Sequence, residues 1–222
     1  TSSAEQKALA LDVQAKTLAV ANLLLTGAAA LQGAAATAGT VTADQAGNAV
    51  LDALVQQIAG APAVDLTQSA TLGSVLNAAA ADATIAASLD AAKQASAVSA
   101  ASAVLATANQ TIASATTAAA AATSQDALLA SLSTAVAVQS VVQGDVGTQL
   151  ANGQTDALPT DREALNTLTQ AVDLSGLQLT ADQAATADTT PPATPTLALA
   201  NDNGASASDG ITRDPTVRVS GL

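Results

Sequence analysis

The sequence predicts a mainly α fold: an elongated antiparallel bundle of long, alanine-rich helices, followed by a short, incomplete β tail. Three observations predict it. The 222 residues contain no Phe, Trp, Tyr, Met, Cys or His, so any interior must be filled by Leu, Val, Ile and Ala. Such a core buries less apolar area per residue than usual, and needs long elements and close backbone approach to compensate. Small side chains permit that approach, with helix axes expected near the lower end of roughly 8–10 Å. Second, helix-capping signatures followed by aliphatic residues at helical spacing recur up to about residue 187. Third, Pro191-Pro192 and Pro195 then forbid helix, and short alternating segments follow. The expected divisions are a helical bundle over 1–187, a proline-rich linker over 188–196, and the beginning of a β domain over 197–222.

In the first helix, Ser2 stands three residues before Glu5 as a capping box. Leu11, Leu18 and Leu25 repeat every seven residues, with Val13 and Val20 to one side. This predicts one apolar stripe running to about Ala36 and loosening at Gly27 or Gly33. Thr42 and Gln45 form a second capping box, and Val50, Leu51, Leu54, Val55 and Ile58 follow at helical intervals until Gly60 and Pro62 stop the helix. A third helix starts near Thr67 and carries Leu72, Val75 and Leu76. Residues 84–123 hold no Pro or Gly. Forty helical residues would reach roughly 60 Å. Leu89, Val98, Leu105 and Ile112 suggest a coiled-coil-like seam there. Thr123 with Asp126 predicts another start, leading through Leu128, Leu129, Leu132 and Val136 to a stop at Asn152-Gly153. Thr160 with Glu163 opens a short helix through Leu165, Leu168 and Val172. Of these side chains, Leu11, Leu18, Leu25, Leu54, Ile58, Leu105 and Leu132 are expected to carry the core.

The net charge is −12, and the six basic residues (Lys7, Lys16, Lys93, Arg162, Arg213, Arg218) form no patch in sequence. Nucleic-acid backbones and anionic membranes are therefore disfavoured partners. Residues 17–43 and 94–125 are uncharged and long enough to span a bilayer. Both lack aromatic belts and basic flanks, and the first is interrupted by Asn22, Thr26 and Gln32, so buried bundle helices are expected instead of membrane spans. The chain starts at Thr1 without the basic-then-apolar order of a signal peptide, and reads as a processed or excised fragment.

Without His or Cys there are no imidazole bases, no Cys–His pairs and no ordinary zinc site. No carboxylate pair sits in an apolar setting, and the glycines of "GSVLNA" and "QGDVG" follow no strand, so neither paired-acid hydrolysis nor a phosphate loop is supported. An enzyme is not expected.

The segment "DTTPPATPTLALANDNGASASDGITRDPTVRVSGL", from Asp188 to Leu222, reads as two strands joined by a loop of turn formers. It resembles the first strands of the bacterial immunoglobulin-like repeats of giant type I-secreted adhesins of the repeats-in-toxin class. "DTTPP" precedes the first strand, "SDGIT" precedes the second, and "VSGL" closes it. The alanine-rich, Asp-over-Glu helical region is similar in composition to the helical segments of such proteins. The resemblance implies a cell-surface or secreted filamentous protein acting in adhesion, biofilm formation or surface assembly. Its expected partners are neighbouring immunoglobulin-like repeats of the same polypeptide. Self-association through the helices is expected if one long helix keeps an exposed Ala/Val stripe. Family members frequently bind calcium at repeat junctions, which makes Asp188, Asp202 and Asp209 candidate ligands, since oxygen donors on loops suit that ion. Turn capping is the other reading of the same three residues. The residues also suggest two further functions. Thr107, Thr111, Thr116 and Thr117 on an alanine background suggest binding to an ordered surface such as ice. An amphipathic coat for a granule or lipid surface is the other.

Overall fold

The computed structural model describes residues 3–61 and 63–174 in full and the backbone of Thr196–Leu199 and Val217–Ser220. The chain divides into two compact units, Thr1–Gln178 and Leu179–Leu222. The first is helical. In the second, β1 (Thr196–Leu199) and β2 (Val217–Ser220) pair antiparallel, with Thr196 opposite Ser220 and Leu199 opposite Val217.

Helix α1 (Ser3–Gly33) and helix α4 (Ala91–Ala121) are each 31 residues long and lie antiparallel. Lys7, near the start of α1, donates to the Ala122 carbonyl at the end of α4. Lys93, near the start of α4, donates to the Ala35 carbonyl just past the end of α1. Around this pair are α2 (Ala43–Gly60) and α3 (Ser69–Ala80) on one side, and α5 (Gln125–Val141), α6 (Gly147–Ala151) and α7 (Arg162–Thr169) on the other. One core runs through them, with Leu23, Leu31, Leu72, Leu76, Leu105, Ile112, Leu150 and Leu165 fully buried.

The Leu11–Leu18–Leu25 stripe is not the buried face of α1. Leu25 is 57% exposed, while Ala15, Ala19, Leu23, Thr26, Gly27 and Ala30 face the core. The reason is distance: alanine and glycine let the facing backbones come close, and a leucine on that line would hold them apart. At Gly27 an added Cβ would sit 2.8 Å from Leu76 Cδ2. Helix α2 shows the same division. Ala46, Ala49, Val50, Ala53 and Leu54 are buried, but Leu51, Val55 and Ile58 point outward. Leu132, also expected in the core, is only half-buried.

Ends follow side-chain chemistry. Thr42 and Gln45 form the reciprocal capping box on α2: Gln45 N–H donates to Thr42 Oγ1 at 3.2 Å and Thr42 N–H donates to Gln45 Oε1 at 3.0 Å. The expected forty-residue helix is instead broken over 82–90. Asp82 accepts from Thr84 N–H at 2.8 Å, a 3₁₀ turn covers Ala86–Ser88, and Asp90 caps α4 through the Ala92 and Lys93 N–H groups. Both aspartates offer the backbone an alternative to helix. Leu89 therefore lies outside α4, but Val98, Leu105 and Ile112 are buried along it. Two starts fall one residue later than the sequence suggested: Ser124 and Asp161, not Thr123 and Thr160, accept the capping N–H groups of Ala127 and Ala164.

Between α5 and α6 the helix passes through a π turn, Val142–Val146. The helix then ends at Ala151, just before Gly153, whose φ of +72° places it in the left-handed region. Here α1 meets α6 as closely as two chains can: a Cβ on Gly33 would fall inside the Leu150 carbonyl oxygen and 2.8 Å from Gly153 N.

Gly33→Ala is therefore expected to cost about 3 kcal/mol or more, because backbone must move on both sides. Gly39→Ala meets nothing within 4 Å but sits at φ +81°, and should cost only about 1 kcal/mol. Urea melts followed by circular dichroism would rank the two.

Candidate functional site

Three features of the helical unit stand apart from aliphatic packing: a buried polar thread, an apolar groove, and two aspartate turns.

The thread crosses the middle of the α1–α4 pair. Asn22 is fully buried and Asn109 is 2% exposed. Asn22 Nδ2 donates to Asn109 Oδ1 at 3.3 Å, and Asn109 Nδ2 donates to the Leu66 carbonyl at 2.8 Å. From the opposite side, Gln143 Nε2 in the π turn donates to Asn22 Oδ1 at 3.2 Å. Thr26 Oγ1 approaches the Val142 carbonyl at 3.5 Å, on the same turn. A buried amide without partners would cost about 1–3 kcal/mol, so these groups are satisfied in one alignment of the helices and not in a slipped one. In the sequence Asn22 is only a polar break in an apolar run, and nothing marks Asn109. Their significance lies in being opposite each other, which depends on the antiparallel pairing.

The groove lies beside the thread, between α1, the end of α2, and residues 61 and 63–67. Its volume is about 340 Å³, within the usual range for a small ligand site. Its walls are mostly aliphatic, with Val20, Leu54, Ile58, Val64 and Leu66 prominent and Asn109 at its base. Asp12 and Lys16 stand on the rim as an exposed ion pair at 2.8 Å, a pairing of little energetic weight in water.

Asp65 forms one wall of the groove and folds into its own turn. Hydrogen bonds from the Thr67 hydroxyl at 2.7 Å and the Thr67 N–H at 2.9 Å hold its carboxyl below the usual range. Asp82 is lowered in the same way, by the hydroxyl and N–H of Thr84.

Asp188, Asp202 and Asp209 lie outside the described residues. Among the described residues no group of three or more acidic, His or Cys side chains is placed to hold a metal ion. Two helices, Ser3–Gly33 and Gln125–Ala151, are long and apolar enough to cross a membrane, and each buries a face in the bundle.

Asn109→Ala is expected to destabilise by about 1–3 kcal/mol, since it strands both Asn22 and the Leu66 carbonyl. An Asn22→Leu/Asn109→Leu double variant should cost less than the two single changes together but relax the alignment. Spin labels on cysteines introduced near each end of α1 and α4 would report a broader distance distribution. For pH, a carboxyl whose folded pKa lies below its unfolded value stabilises the fold above the unfolded pKa and loses that contribution as pH falls through the folded one. Stability should therefore drop on acidification below the ordinary carboxylate range, and Thr67→Ala should reduce that drop, as urea melts across pH would show.

No family model, curated protein or solved structure matches the chain.

Proposed function

We propose that this chain is a structural module of a large secreted or cell-surface bacterial protein, in which the helical unit serves as a spacer or docking segment beside immunoglobulin-like repeats. The observation that carries this reading is the tail. "DTTPP", "SDGIT" and "VSGL" stand in the order expected for the opening strands of such a repeat. The antiparallel pairing of Thr196–Leu199 with Val217–Ser220 is compatible with a hairpin-like opening of a sandwich. A helical unit whose polar residues are spent on caps and on an internal thread suits a scaffold role. Calcium at the repeat junction, held by Asp188, Asp202 and Asp209, belongs to the same proposal.

The threonines that suggested an ordered-surface binder support that alternative less well. Thr111 is 7% and Thr116 is 3% exposed, and their hydroxyls donate to the Thr107 and Ile112 carbonyls within α4.

The test is the coding sequence beyond Leu222 together with the location of the protein. The expected result is further β repeats opening with the same motif, and loss of the protein from intact cells on brief external proteolysis. A stop codon directly after Leu222, or complete protection until the cells are lysed, would overturn the reading.

A further inference from the structure

The inner face of α2 fills its place in the bundle, yet the helix carries a second aliphatic line on the outside. Leu51, Val55 and Ile58 follow at i, i+4 and i+7 and are 44%, 55% and 54% exposed. On the neighbouring helix, Leu9 and Val13 are 64% and 54% exposed, and only 17% of the most apolar stretch of α1 is buried. Ile58 also forms a wall of the groove, so ridge and groove are adjacent on one face.

We propose that this face is a homotypic contact, in which the α2 ridge of one copy of this chain lies in the α1–α2 groove of a second copy and the reverse holds across a two-fold axis. Adjacent complementary features on the same surface are what an isologous contact requires. The dimensions agree. From Leu51 to Ile58 the ridge is about 10 Å long, and the α1 side of the groove from Asp12 to Val20 is about 12 Å. Walls of Ala15, Ala19 and Val20 make a shallow, narrow trough that accepts a slender aliphatic ridge. The chain has no ring or thioether to present, and its own α2 offers such a ridge.

Charge sets the orientation. Lys16, paired with Asp12 of its own chain at 2.8 Å but with its side chain 76% exposed, stands on the groove rim with donors to spare for a second carboxylate, and exposed Asp52 flanks the ridge. Crossing the copies brings the Asp52 of each toward the Lys16 of the other. Beyond that pair, two chains of −12 repel, so screening by salt favours association. Area sets its strength. Five half-exposed aliphatic side chains offer roughly 300 Å² per copy, well below the ~800 Å² per partner of a standard stable interface. The contact is weak between free copies and becomes effective where copies are tethered or crowded. It rests on the geometry of the helical unit and stands independently of the surface-protein reading.

Sedimentation equilibrium of the full chain up to about 1 mM, at low and high salt, tests it. The expected result is a weight-average mass rising from 21.2 kDa toward twice that value with concentration, and more steeply at high salt. Val55→Asp should reduce association at least tenfold, whereas Leu25→Asp, on a different face of α1, should leave it unchanged. Lys16→Glu should weaken association and Asp52→Lys in the same chain should restore it, with circular dichroism confirming that each variant folds. A monomer at 1 mM in high salt, equal effects of Val55→Asp and Leu25→Asp, or no recovery in the charge-reversed pair would each overturn the proposal. So would co-sedimentation with neutral phosphatidylcholine vesicles, lost in Val55→Asp, from a chain that stays monomeric, because the face would then be a lipid contact.

Discussion

The constraint on which this fold depends is how close α1 and α4 can come. With no apolar side chain larger than leucine or isoleucine, cohesion has to come from many small contacts at short range. Many of the residues the two helices bury are accordingly alanine, with Ala15, Ala19 and Ala30 on one helix and Ala101, Ala108 and Ala115 on the other, set among a few larger aliphatics such as Leu23, Leu105 and Ile112. Such a seam is strong in sum but nearly featureless along its length. One turn of alanine looks much like the next, and sliding by a turn exchanges similar contacts. Polar groups supply what the apolar surface lacks. The two asparagines meet at the centre, and a lysine at each end reaches the final carbonyls of the opposite helix. A cation at a helix C-terminus is also favoured by the aligned peptide dipoles. The chain is poor in positive charge, yet Lys7 and Lys93 are both placed where they fix alignment.

Helix locations were legible in the sequence where side chains act on their own backbone. Thr42 and Gln45 announce α2 because a capping box is local chemistry, and Gly153 announces the end of α6 because only a left-handed residue turns the chain there. The one-residue displacement to Ser124 and Asp161 has the same origin, since two neighbouring hydroxyl or carboxyl groups compete for one role. The break at 82–90 was hidden because Asp82 and Asp90 are separated by alanine-rich sequence with no Pro or Gly, and it is fastened from outside. Ala36 N–H donates to the Ser88 carbonyl, and Asp90 N–H donates to the Ala34 carbonyl.

Burial was far less legible. A leucine stripe ordinarily marks the core face because leucine gains most by leaving water. Leu25 fails that rule, as do Leu51, Val55 and Ile58, while Leu11 and Leu18 are only half-buried. In an alanine-dominated chain the face that packs is the one whose small residues permit contact, and larger aliphatics can be left on the flanks. The thread was illegible for another reason. Asn22 and Asn109 are 87 positions apart, and no local pattern relates them.

The π turn at Val142–Val146 has a geometric consequence for the helix that contains it. Val138, Val142, Val146 and Leu150 are all fully buried and spaced by four. In an unbroken α-helix each step of four residues rotates the side chain by about 40°, so Leu150 would point roughly 120° away from Val138. One widened turn takes up the excess and returns the lower half of the helix to the phase of the upper half. Winding these same residues as an ordinary α-helix would leave a perfectly good helix aimed the wrong way. Leu150 would swing off the interior, and its carbonyl would leave the glycine that was kept bare to receive it.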